Sequence, residues 1–186
     1  MAGNMRYLWA LLAITFKSAA SQRGAMMLRG VFSVLMHAIY FPVWFVIFRY
    51  TPNIGGWGIQ QACLAYGIAI ACWGIVSLTV YGLRTLPQQI DHGELDSYLT
   101  LPKPILMSAA LSTSRSSGLG ELIFGVGLIL YAGIQYHIDL TWIPVVLVTG
   151  SVVFASGILF FASFGFFFFA WQGSTNPELW ETAPDW

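Results

Sequence analysis

The chain has 186 residues, 57% of them hydrophobic and only 9% charged, with eight Lys+Arg balancing eight Asp+Glu. Soluble domains carry about 25% charged residues, so this composition cannot clothe a water-facing surface and points to a fold embedded in lipid. The formal net charge of zero leaves no basic field for nucleic acid, so the bilayer is the expected surrounding and nucleic acid is not an expected partner.

The first element in chain order is MRYLWALLAITFKSAAS, residues 5–21. Its apolar part is shorter than the roughly 20 residues that cross a bilayer. Aromatic residues flanked by Arg6, Lys17, Arg23 and Arg29 suit a helix lying along the cytoplasmic interface. A cleaved signal peptide is the alternative reading of the same stretch.

Four apolar runs follow, at about 31–48, 59–80, 119–136 and 143–169, the first interrupted by Pro42. At about 1.5 Å per residue each approaches or exceeds the roughly 30 Å hydrocarbon core. Lipid offers the backbone no hydrogen bonds, so such runs must be helices or strands of a closed barrel. Barrel strands alternate apolar and polar residues, and these runs do not. The predicted fold is therefore all-α and integral to the membrane: an N-terminal interfacial helix, four transmembrane helices, and short cytoplasmic helices between spans two and three.

Within the second run Cys63, Gly67 and Ala71 recur at every fourth position with Gly74 close behind, and Ser151 and Ala155 repeat the pattern in the fourth. Small residues at this spacing let helix backbones approach closely, which predicts packing within the chain, a dimer seam being the alternative. Cys63 and Cys72 would lie about 13.5 Å apart along one helix and cannot bridge to each other, so both read as small buried residues. His37 falls at membrane depth, where polar groups are costly. It either hydrogen-bonds a neighbouring helix or lines a substrate path. No spacing among His37, His92 and His137 suggests a metal site.

Cations set the orientation. Arg6, Lys17, Arg23 and Arg29 precede the first span, and Arg84, Lys103 and Arg115 lie between the second and third; Arg49 alone falls on the other side. The positive-inside rule then places both termini and the second loop in the cytoplasm. Trp57, Trp142 and Trp171 fall near predicted interfaces.

The second loop contains LPQQIDHGELDSYLTLPKPI, residues 86–105, with three of the eight acidic residues and three of the eight prolines. Pro87 suits the first turn of a helix that shares Leu86 and Ile90 on one face, and Gly93 suits its end. Leu95, Tyr98 and Leu99 form the apolar face of a second short helix, stopped by Pro102 and Pro104. Such a rigid surface element could pass force from a soluble partner to the spans.

The stretch QQIDHGELDSYLTLPKPILMS resembles the cytoplasmic loop of bacterial type-two ATP-binding-cassette (ABC) transporter permeases. Ile90, Gly93, Leu95, Asp96, Leu99 and Pro102 carry the pattern I-x-x-G-x-L-D-x-x-L-x-x-P. The surrounding order of helix, two spans, loop and two spans extends the resemblance from about residue 5 to residue 171, which makes the chain one transmembrane permease domain. The resemblance implies a multi-pass protein of the inner (cytoplasmic) membrane that pairs with a second permease chain, identical or different, and works as an exporter; the aromatic and small residues of the spans point to a hydrophobic or amphipathic substrate.

It further implies that a cytoplasmic ABC ATPase subunit docks on the coupling loop through Gln89, Ile90, Asp91, Gly93, Glu94, Leu95, Asp96 and Leu99. ATP would be used on that partner; this chain has no G-x-x-x-x-G-K-[ST] loop and is expected to bind no cofactor. Compared with such permeases the last two spans are missing, so the chain is expected to be incomplete at its C-terminus or to be completed by another chain. Two other functional classes remain open at this point: a lipid-acting membrane enzyme with His92 and Asp96 as an acid–base pair, and a non-transporting assembly or regulatory subunit.

Overall fold

The computed structural model describes residues 23–91 and 105–175, together with Ala10, Ala13, Ile14 and Lys17. Those four positions are helical, and the rest of the expected interfacial segment lies outside the described residues. The described residues form helices α1 (Arg23–Tyr40), α2 (Pro42–Tyr50), α3 (Ile59–Thr79), α4 (Gly82–Asp91), α5 (Ile105–Leu111), α6 (Gly118–Tyr136) and α7 (Ile143–Thr175). Among the described residues, four stretches are long and apolar enough to cross a membrane: Gly24–Tyr50, Ile59–Thr79, Gly118–Tyr136 and Ile143–Gly165.

The first span begins seven residues earlier than the apolar run at Val31 suggests. Met26, Met27 and Leu28 extend the apolar surface of α1, and an arginine such as Arg29 can keep its charge in the interface while its stem lies against lipid. Pro42 divides the span into α1 and α2, as its missing N–H requires. The chain is carried through by the bonds Phe41 N–H to His37 O (2.9 Å) and Trp44 N–H to Phe41 O (3.0 Å).

On the far side, a tight turn with Gly55 (φ 60°) and Gly56 (φ 89°) pairs Ile54 with Trp57, a geometry that needs two left-handed residues. Gln61 Oε1 then accepts from Gly58 N–H at 3.0 Å and closes the start of α3. Between α6 and α7, Asp139 accepts from the amide and the hydroxyl of Thr141, which holds its carboxyl below the usual carboxylate range. Trp57 and Trp142, one in each of these loops, are exposed, as expected of an interfacial belt.

Helix α3 is the centre of the assembly, with α6 on one side and α7 on another; α1 packs on α6, and α4 on both α5 and α7. The expected small-residue face is the α3–α6 seam. Cys63, Gly67, Ala71 and Gly74 are all buried. A methyl group at Gly74 would lie 2.6 Å from the amide nitrogen of Leu122, and one at Gly125 would lie 2.5 Å from that of Ala71. The two backbones therefore touch.

On α7 the expected Ser151 meets α3, its side chain hydrogen-bonding Cys72, and Gly150 beside it comes closer still. A methyl at Gly150 would lie 2.6 Å from Cys72 Sγ, and Ser151, half-buried, also donates to Leu147 O of its own helix at 2.7 Å. Both cysteines are buried and unbridged.

The helix expected to begin near Pro87 begins at Gly82, so Pro87 stands inside α4 rather than in its first turn. Bonds from Leu83 N–H to Val80 O (3.1 Å) and Arg84 N–H to Tyr81 O (2.9 Å) start the helix directly at the end of α3. The helix then crosses α5 so closely that any Cβ at Gly82 would overlap Ala109 O. The Pro87 ring faces α7, where a methyl at Gly165 would lie 3.3 Å from Pro87 Cγ. Residues 92–104, with the second expected coupling helix, lie outside the described residues.

Helix α5, which the sequence reading did not anticipate, follows Pro104 and buries Ser108, Ala109, Ala110 and Leu111. Helix α7 runs for 33 residues, about 50 Å, and so outreaches the hydrocarbon core.

Replacing Gly125 by leucine forces α3 and α6 apart and is expected to destabilise the protein by about 1–3 kcal/mol. Gly127→Leu, at a position with nothing within 4 Å, should leave it unchanged. Thermal unfolding of both variants in detergent micelles checks the difference.

Candidate functional site

Two regions gather polar side chains among the apolar spans. The first is the crossing of α1 and α6. Gly30 and Gly120 meet there so tightly that a methyl at Gly120 would overlap the Gly30 carbonyl. With the backbones in contact, the side chains next to them must splay to either side. One side is an apolar groove bordered by Met27, Val31, Val34 and Ile123. The other is a cavity of about 660 Å³ bordered by Arg29, Ser33, His37, Arg115, Ser117 and Glu121.

His37 stands at the inner wall of that cavity. Its Nδ1 shares a hydrogen bond of 3.2 Å with the Tyr66 hydroxyl of α3, and its ring stacks on Phe124 of α6 at 5.5 Å. Phe41 stacks on the same Tyr66 at 5.7 Å and meets Phe124 edge-on at 6.5 Å. The helix-to-helix hydrogen bond expected of an intramembrane histidine is thus present, and the same residue also borders a cavity.

Glu121 is the residue that sequence reasoning missed. It reads as a marker of the interface, yet only 6% of it is exposed and its Oε2 has no hydrogen-bond partner. The available signal was its place as the one acid within the four spans, next to the pair Gly118 and Gly120.

The second region is the end of α3 that carries the cations. Arg84 lies over the Trp73 ring at 5.7 Å, and Arg115 lies over the Tyr81 ring at the same distance. The Arg115 amide also donates to Ser77 O at 2.9 Å, which fixes the approach to α6. A cavity of about 540 Å³ opens here among Trp73, Arg84 and Pro87 on one side and Phe154, Ile158 and Phe161 of α7 on the other.

Of the expected coupling residues, Gln89 lies in α4 and is buried, its Nε2 donating to Thr85 Oγ1 at 3.0 Å while its Oε1 has no partner. Ile90 and Asp91 complete α4. Gly93, Glu94, Leu95, Asp96 and Leu99 lie outside the described residues, as do His92 and Pro102. Among the described residues no three His, Cys, Asp or Glu side chains come together as a metal site would require.

Four membrane-crossing helices built around a backbone-to-backbone seam define a multi-pass membrane protein. A family model described as ABC-2 family transporter protein matches residues 34–176, well over half of the chain. The chain belongs to this family of ABC-2 transporter permeases, which makes it a membrane component of transport rather than a catalyst. No curated protein and no solved structure gives a significant match to it.

Tyr66→Phe keeps the ring stack but removes the hydroxyl that pairs with His37. The expected cost is about 1 kcal/mol, read as a lowered midpoint of thermal unfolding in micelles.

Proposed function

We propose that this permease is the membrane-spanning subunit of an ATP-driven exporter of hydrophobic or amphipathic substrates. ATP is hydrolysed on a separate cytoplasmic ABC ATPase, and two permease chains, identical or different, form the pathway. Both termini and the 86–105 loop face the cytoplasm of the inner membrane. The observation that carries this reading is the placement of α4. It leaves α3 beside Arg84 and Arg115, at the end where the cations gather, and it packs against both α5 and the long helix α7.

Closure of the ATPase subunits would push on the loop, and α4 would pass that displacement to α7 through Pro87 and Gly165. Gln89, Ile90 and Asp91 close the helix that receives the push, and buried Gln89 acts by holding α4 in place. Gly93, Glu94, Leu95, Asp96 and Leu99 supply the docking face. His37 borders the path on the opposite side of the bundle.

Two measurements test this. Cysteines introduced at Asn53 and Asp139 should react with an impermeant thiol reagent on intact cells, whereas Thr113→Cys and His92→Cys should react only after permeabilisation. Labelling of His92→Cys in intact cells would overturn the orientation.

The tagged chain, purified from its own membranes, should bring with it an ATPase that carries a phosphate-binding loop. Leu95→Asp, which puts a charge in a desolvated contact, should reduce that recovery by about tenfold or more. Gly93→Val should act in the same direction, and His92→Ala should have no effect. Unchanged recovery with both Leu95→Asp and Gly93→Val would reduce the loop to a connector.

A further inference from the structure

The cavity beside the α1–α6 crossing holds a set of charges that packing alone does not explain. Its polar end is bordered by two cationic residues, Arg29 and Arg115, and by Glu121, together with Ser33, His37 and Ser117. Glu121 is 94% buried (6% exposed), yet its Oε2 lacks any hydrogen-bond partner. That oxygen is closed off from the cavity as the carboxyl stands, and a turn of the carboxyl about its Cγ–Cδ bond would offer it to a donor there; a buried acceptor left bare is destabilising, so such a donor would complete the site. Neither arginine supplies one: both are exposed, and the Arg115 guanidinium lies over Tyr81.

The apolar wall of the same cavity has its own order. Leu28, Phe32, Met36 and Tyr40 recur at every fourth residue of α1, and all four are more than half exposed. Twelve residues of helix carry this stripe about 18 Å from the charged end into the membrane, close to the depth of one leaflet. The cavity therefore asks for three things in one molecule: an N–H donor for a carboxylate, an acid for two guanidiniums, and a hydrocarbon chain.

A fatty acid has no donor, and a simple alkylamine would bring one cation to a cavity that already holds two. We propose that the cavity binds an aminophospholipid, a lipid whose headgroup joins a phosphate to a primary ammonium, as in phosphatidylethanolamine. The ammonium donates to Glu121, Arg29 and Arg115 take the phosphate, and one acyl chain lies along Leu28, Phe32, Met36 and Tyr40. A choline headgroup has the same charge but no N–H to donate, so the site discriminates between the two. Only this chain and a lipid are required, and the site stands or falls separately from coupling to an ATPase.

Native mass spectrometry of the purified chain in detergent reads the binding directly. The probes are lysophosphatidylethanolamine, lysophosphatidylcholine and lysophosphatidylglycerol with identical acyl chains. The ethanolamine lipid should bind about tenfold tighter than either of the others, the increment of one charge-assisted hydrogen bond. Glu121→Gln should erase that preference and leave the three lipids alike, while Arg29→Gln and Arg115→Gln should weaken all three.

Glycerophosphoethanolamine, which has the headgroup and no chain, should fail to compete at equal concentration. If it competes, the ligand is a soluble headgroup and the lipid assignment is wrong. Equal binding of the ethanolamine and choline lipids by the unmodified chain would overturn the proposal without recourse to any variant. So would a preference that survives in Glu121→Gln.

Discussion

The contact between the backbones of α3 and α6 is the constraint on which the rest of the structure depends. In lipid, burying a leucine against another leucine gains nothing over leaving it in the bilayer, so helices associate through close packing instead. Gly67, Gly74, Gly118 and Gly125 remove the side chains that would hold the two backbones apart, and Cys63 and Ala71 complete the surface. The two outer spans are held much more lightly. Only 11% of the first span and 6% of the fourth are buried within the chain, against 44% for each of the two central spans. The protein is thus a rigid pair of helices with a loosely attached helix on each side, and both polar regions lie where a loose helix meets the rigid pair.

That arrangement explains why polar groups survive at membrane depth. At the crossing of Gly30 and Gly120 the backbones of α1 and α6 meet and leave space beside them, so Arg29, His37 and Glu121 border a cavity there. His37 is tied inward by Tyr66 and Phe124, and this places it between the rigid pair and the cavity.

Much of the fold was legible because lipid imposes simple rules. Four spans, their helical nature and the small-residue face on α3 follow from hydropathy and spacing. The partner of that face did not follow, since a glycine pattern shows that a helix is approached closely but not by which neighbour. On α7 the pattern was incomplete: Ser151 does meet Cys72, but the closest approach is made by Gly150, which the spacing had not singled out. Pro87 did mislead. A local rule puts proline in a first turn, but the turn leaving α3 at Val80 and Tyr81 had already started the helix. Glu121 was read as interfacial because burial of the first turn of α6 depends on α1, about 90 residues away in the chain. The coupling segment was expected through resemblance alone, and of residues 86–105 only 86–91 and Ile105 lie among the described residues.

The location of α4 adds a mechanical consequence to the transport reading. Its contacts are with α5 and α7, and its Gly82 and Pro87 meet Ala109 and Gly165, whereas the α3–α6 seam lies on the other side of α3. A push on α4 is therefore delivered first to the least buried span. Helix α7 is tied to α3 near Cys72 by the close approach of Gly150 and by the thiol donating to Leu147 O at 3.6 Å. Residues 147 and 165 lie 18 apart, about 27 Å along the helix, so a force at Gly165 acts on a long arm pivoted near Leu147. Aromatic side chains such as Phe154 and Phe161 line the space that such a swing would open or close. The seam itself need not move, and a permease built this way could change its shape while its most costly contact stays intact.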